Sequence, residues 1–165
     1  MSQFSFDIVS EFDKAEMNNV FDQVKREIAN RYDFKGSSAD INWLDSDKTG
    51  FKVTGDNQFH LDSIVEIVRK KLATRGQSQK VLDTSAEPVT TNLKMTWDIP
   101  FQRGLDQEKA KKITKSIRDE LPKVKTQIQG EEVRVTSQKK DELQAVMQLI
   151  KSKDFDFPIN FTNFR

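Results

Sequence analysis

The chain has 165 residues, enough for one large or two small domains, and at 35% apolar and 32% charged it can bury a core beneath a highly charged surface. No apolar run approaches the roughly 18 residues of a membrane span, and the opening residues lack the basic-then-apolar order of a secretory signal. The absence of cysteine excludes disulfides, thiolate nucleophiles and Cys metal sites, so cytoplasm is the expected compartment.

In chain order, Phe4, Phe6 and Ile8 alternate with polar residues and predict a strand over 5–11. Asp13 and Glu16 have the spacing of a capping box opening a helix to about Arg31, with Met17, Val20, Phe21, Val24 and Ile28 as its apolar stripe. Two strands follow, Asp40–Leu44 and Phe51–Thr54, joined by a loop rich in turn formers. A helix over Gln58–Thr74 is closed by Gly76, the expected left-handed C-cap. The polar, proline-containing stretch 77–92 is the expected inter-domain linker, and Val81–Thr84 is at most a weak strand.

A long alternating strand then runs over Leu93–Phe101. Asp106 opens a helix that Pro122 stops, with Ala110, Ile113, Ile117 and Leu121 inward. Lys125–Gln129 and Val133–Thr136 read as a hairpin around Gly130-Glu131, followed by a helix over Asp141–Lys151 and a last strand through Phe157, Ile159 and Phe161.

Residues 51–71 recur at 133–153 without a gap: Val53-Thr54 falls on Val135-Thr136, Leu61 on Leu143, and Ile64-Val65 on Val146-Met147. Each half therefore reads β-α-β-β-α, one strand short of βαββαβ. The fold class is α+β, two ferredoxin-like domains from an internal duplication, spanning 1–91 and 92–165. The first half has no strong last strand. Strand 93–101 could serve its sheet and strand 5–11 the second, a choice that periodicity leaves open.

Four segments carry a resemblance to a known family: Ser5–Glu11, Tyr32–Ser37, Val133–Ser137 leading to Leu143–Val146, and the ending Asn163-Phe164-Arg165. Together they resemble the YajQ family over the whole chain. The resemblance implies nucleotide binding, and a fold in which the two domains exchange their N-terminal strands. It implies cyclic di-GMP or GTP as ligand, and RNA or a transcription-related protein as partner.

Enzyme motifs are lacking. The chain has neither a phosphate loop of the form GxxxxGK[ST] nor a GxGxxG after a strand, and no catalytic residue, metal ligand or cofactor is expected. His60, the only histidine, reads as a surface or packing residue, and the carboxylate pairs read as solvated or helix-first-turn charges. Base stacking on the third strand of either sheet is disfavoured. Phe51 and Val53, like Val133 and Val135, share the face that meets the helices, leaving Lys52 and Thr54 or Arg134 and Thr136 on the other.

A phosphate-bearing ligand fits better. Arg31, Phe34, Lys35 and Gly36 interleave cations with flat rings beside a glycine, although Tyr32 and Phe34 could equally be core. Arg103 with Gly104 forms a second basic turn leading into a helix N-terminus, and Arg69, Arg75 and Arg165 are further candidates for phosphate. The expected site lies between the two domains. Residues 1–91 carry 12 Lys/Arg against 15 Asp/Glu, and residues 92–165 carry 15 against 11. The basic second half therefore supports an alternative, an RNA-binding accessory protein acting electrostatically.

Overall fold

A computed structural model describes residues 3–165. The chain separates into two compact units: residues up to Glu11 together with Arg103–Arg165, and Phe12–Gln102. It is a mixed α/β protein with two four-stranded sheets and four helices, consistent with duplicated ferredoxin-like halves.

The Phe12–Gln102 unit contains α1 (Lys14–Asn30), β2 (Asp40–Trp43), β3 (Gly50–Gly55), α2 (Gln58–Thr74), β4 (Val89–Thr91) and β5 (Lys94–Pro100). Its sheet order is β2-β3-β5-β4, every neighbour antiparallel. Asp13 caps α1 as its position predicts, accepting from the amides of Ala15 and Glu16. The other half of the capping box does not form, because the Glu16 carboxylate turns to Arg75 instead. Met17, Val20, Val24 and Ile28 of α1 meet Leu61, Ile64, Val68 and Leu72 of α2 over Ile41, Phe51 and Val53 of the sheet.

The stretch 77–92, expected to be a linker, lies inside this unit. Val81 and Leu82 are buried in its core, Leu82 bridges to Phe101, and Val89–Thr91 form an edge strand. The two-residue turn Asn92-Leu93 joins β4 to β5 with φ of 51° and 66°, the left-handed pair of a tight hairpin. Three exposed residues made that strand invisible to hydrophobic patterning.

The other unit combines β1 (Phe4–Val9) with α3 (Gln107–Glu120), β6 (Lys125–Gln129), β7 (Glu132–Ser137), α4 (Lys140–Ser152) and β8 (Asn160–Thr162). Its sheet order is β6-β7-β1-β8, so β1 lies between two strands more than a hundred residues away in sequence, while β5 lies against β3. The repeat is visible in the elements: β3 shifted by 82 residues coincides with β7, and the first residue of α2 with that of α4. Phe6 and Ile8 of β1 pack with Val133 and Val135 of β7 against Ile113, Ile117, Val146 and Ile150 of the helices. The last strand starts later than its sequence pattern implies. Phe157 is buried against this core but outside any strand, and pairing begins only at Asn160.

The other face of β1 carries Asp7, only 3% exposed. Arg134 reaches it through two nitrogens, at 3.0 and 3.4 Å, and Asn163 Nδ2 donates to it at 2.8 Å. The Arg134 hydrogen bond, opposed by burial and helped by Asn163, holds this carboxyl below the usual carboxylate range. Arg134, expected on the sheet face away from the helices, does lie there and is neutralised by this pair.

Asn163 sits at a bulge. Asp7 opposes Thr162, yet Ser5, two residues earlier, exchanges both backbone hydrogen bonds with Arg165, three residues later. One residue is extra, and Asn163 absorbs it at φ 58°. Residues 161 and 164 would otherwise point to opposite faces. The bulge turns both rings onto Phe6, Phe161 edge-on at 5.5 Å and Phe164 stacked at 5.7 Å.

Two outcomes are expected. Asp7→Asn removes the charge that pairs Arg134 and should lower unfolding stability by about 2 kcal/mol in urea titrations. Because the Asp7 pKa is lower in the folded state, its contribution is present above the unfolded value of about 3.9 and fades as pH falls toward the folded one, so Asp7→Asn should flatten acid denaturation in that window. Asn163→Val, forced into a left-handed conformation, should lose about 1–2 kcal/mol and displace the Phe164 ring resonances, whereas Asn163→Gly should keep the ring in place.

Candidate functional site

The candidate residues of the Phe12–Gln102 unit are mostly occupied. Arg31 closes its guanidinium on Asp33 with bonds of 3.0 and 2.9 Å and lies 4.9 Å over the Phe34 ring. Phe34 is core, 4% exposed and edge-on to His60, so neither face of the ring is open to a base. Tyr32, by contrast, is 88% exposed. His60 packs as expected, its Nδ1 accepting from the Asp56 amide. Lys35 and Gly36 are exposed on a turn where Gly36 has φ 77° and open space around it.

Arg69 stands 3.9 Å from Glu66 on its own helix, and Arg75 donates twice to Glu16, at 2.6 and 3.0 Å. Arg75 also lies about 22 Å beyond His60 along α2 at 1.5 Å per residue, so it does not share a pocket with Phe34.

In the other unit, Arg103 pairs with Glu11 at 2.9 Å. Gly104 is left-handed at φ 82°, gives its amide to the Ser10 carbonyl, and has the Glu131 carboxylate 2.9 Å from where a Cβ would stand. Asp106 caps the following helix by accepting from Lys109 N. Carboxylates thus hold the basic turn that the sequence offers to an anion. Arg103 and Arg165 lie at opposite ends of β1, Gly104 bonding to Ser10 and Arg165 to Ser5. That separation is about 16 Å at the rise of a strand.

Arg165 is the one predicted arginine that lines a groove and has no close ion pair among the described residues. A cavity of about 300 Å³ opens between α4 and the start of β1, lined by Phe4, Ser5, Lys140, Gln144, Phe164 and Arg165 together with Leu143 and Met147. The bulge presents Phe164 here at 59% exposure, backed by Phe6. Lys140 stands 5.0 Å over the Phe4 ring. Among the described residues neither Lys140 nor Arg165 forms an ion pair within 4 Å, although the Arg165 charge also helps to lower the Asp7 pKa. An exposed ring beside two such cations suits a planar group carrying negative charge.

Sequence patterning did not select Phe4, Lys140 or Phe164. The available signal was the Asn163-Phe164-Arg165 ending, where an asparagine that tolerates left-handed backbone precedes an aromatic and a cation. Three of the four segments that carry the family resemblance meet around this groove and its support: Ser5 bonds Arg165, Asp7 bonds Arg134 and Asn163, and Leu143 and Gln144 line the wall.

Among the described residues no group of three His, Asp or Glu converges as a metal site, and no helix is long and apolar enough to cross a membrane. The family model described as "Nucleotide-binding protein YajQ-like" matches residues 4–165. Similar proteins include a "Nucleotide-binding protein" of a Nocardioides species, 45% identical over the full length of both chains, and one of Trichodesmium erythraeum, 43% identical over 99% of each. Another, from Nostoc punctiforme, is 42% identical over 99% of each chain and carries the same description. With a match of this extent, the chain belongs to the YajQ-like family of nucleotide-binding proteins.

Proposed function

We propose that the chain is a non-enzymatic, cytoplasmic nucleotide-binding protein that seats a base against Phe164 and a phosphate between Lys140 and Arg165. The observation that carries this reading is the exposed Phe164 ring, held by the Asn163 bulge in a groove that Lys140 and Arg165 also line. The names of the similar proteins support the ligand class. At about 300 Å³ the groove is at the small end of ligand sites, room for one nucleotide unit. In the cyclic di-GMP effector reading, one guanine enters and the second remains at the mouth. The signal then passes to a transcription-related protein or nucleic acid through the altered surface, without turnover. In the same reading, the positions of β1 and β5 reflect an exchange of first strands between two repeats.

A second reading, RNA binding, is favoured by the exposed lysines Lys111, Lys112 and Lys115 along α3. Salt separates the two, because contacts to many phosphates weaken steeply between 50 and 200 mM salt and a groove-bound nucleotide weakens modestly.

Calorimetry with cyclic di-GMP, GTP and short RNA is the test. Loss of one stacked base is worth about 1–3 kcal/mol, so Phe164→Ala should weaken nucleotide binding about tenfold or more. Arg103→Ala should leave it unchanged. Loss on Arg103→Ala with Phe164→Ala unaffected would move the site to the 103–104 turn, and no binding better than millimolar would reject the reading.

A further inference from the structure

A ring that stacks on a base holds its flat face, and which base is held is decided along the base edge by groups that accept or donate hydrogen bonds. The groove is poor in acceptors. Lys140 and Arg165 only donate, the side chains of Phe4, Leu143 and Phe164 carry no polar atom, and the Met147 thioether accepts weakly. Ser5 stands between Phe4 and Phe6, whose rings pack with the helix-side core, so by alternation its hydroxyl belongs to the opposite face of the sheet, with Asp7. That leaves Gln144. Its carboxamide is the one side chain lining the groove that brings a strong acceptor, and it carries a neutral donor beside it.

The helix sets Gln144 in the middle of the wall. Lys140, Leu143, Gln144 and Met147 follow at i, i+3, i+4 and i+7, so a single stripe of α4 lines the groove. Leu143 is buried in the core, while Gln144 is exposed and among the described residues makes no hydrogen bond. The fold therefore leaves both halves of its amide available. Lys140, to which the proposed site assigns phosphate, precedes Gln144 by one helical turn, about 6 Å along the axis. A carboxamide pairs through two bonds with a ring N–H that stands beside a carbonyl, Oε1 accepting from the N–H and Nε2 donating to the carbonyl. Because the remaining strong polar side chains of the groove only donate, a further carbonyl on the base finds a partner there and a further amino group does not.

We propose that Gln144 is the specificity-determining residue of the groove, and that it selects bases with a ring N–H next to a carbonyl, such as guanine and uracil, over adenine and cytosine. Phe164 holds any base by its face, Lys140 and Arg165 hold any phosphate, and Gln144 alone tells one edge from another. This inference rests on the groove as the seat of the base, but selectivity and seating are lost through different residues and can be told apart.

The experiment is calorimetry with GMP, with 1-methyl-GMP, whose ring N–H is replaced by a methyl group, and with AMP, which has no such N–H. The native protein should bind GMP about tenfold tighter than either of the others. Gln144→Met keeps the length and helix preference of an exposed side chain while removing both polar atoms, and it should bring GMP down to the level of the other two. Lys140→Gln should weaken all three nucleotides alike and preserve the ratio. Equal binding of the three by the native protein, or a ratio that survives Gln144→Met, overturns the proposal. A ratio erased by Lys140→Gln overturns it as well and gives the reading to the lysine. Phe164→Ala distinguishes the two levels of failure. If it weakens all three nucleotides while the native protein shows no preference, the groove stands and only the role of Gln144 falls. If it changes none of them, the groove is not the seat of the base and both readings fall.

Discussion

A carboxylate withdrawn from water persists only when its lone pairs are met, and at Asp7 they are met by two side chains from opposite directions along the sheet. Arg134 approaches from β7 and Asn163 from the segment after β8, so the buried charge joins three strands besides their backbone ladders. Asn163 can reach it only because an extra residue and a left-handed backbone turn its amide inward. The same distortion sets the facing of the next two residues. Phe164 lands on Phe6, and Arg165 continues the ladder at Ser5. One ionic contact therefore fixes the geometry of the groove wall.

The charges divide into two kinds. Most of the arginines singled out by sequence are held by acids: Arg75 ties the end of α2 to the start of α1, and Arg103 pairs with Glu11. These arginines join elements and are less available to ligands, since an incoming phosphate would first displace a carboxylate. Among the described residues Lys140 and Arg165, which form no ion pair, line the groove beside the start of β1 and the N-terminus of α4.

Much of the fold was legible in the sequence, because the amphipathic stripes of all four helices and the alternation of β1, β3, β5 and β7 are strong periodic signals. The 82-residue repeat located β7 and the start of α4 to the residue. What stayed hidden follows from physical causes. β4 is three exposed residues with no face to bury, and Glu16 chose a long-range arginine over its own helix end. In the site, a cation followed by glycine reads the same whether an acid from elsewhere in the fold covers it or not, so Arg103 looked free and was not. Phe164 carried no periodic signal because its orientation comes from a break in the period.

The edges of the two sheets bear on how the protein behaves in a crowded solution. An open strand edge is a template for pairing with another chain, and a long flat one invites fibre growth. Here β4 and β8 are each three residues long, and the segment after β8 is bent by the extra residue at Asn163. A neighbouring molecule arriving at the β8 edge finds its hydrogen-bonding register broken after a few rungs, so the kink that turns Phe164 also discourages strand-to-strand aggregation there.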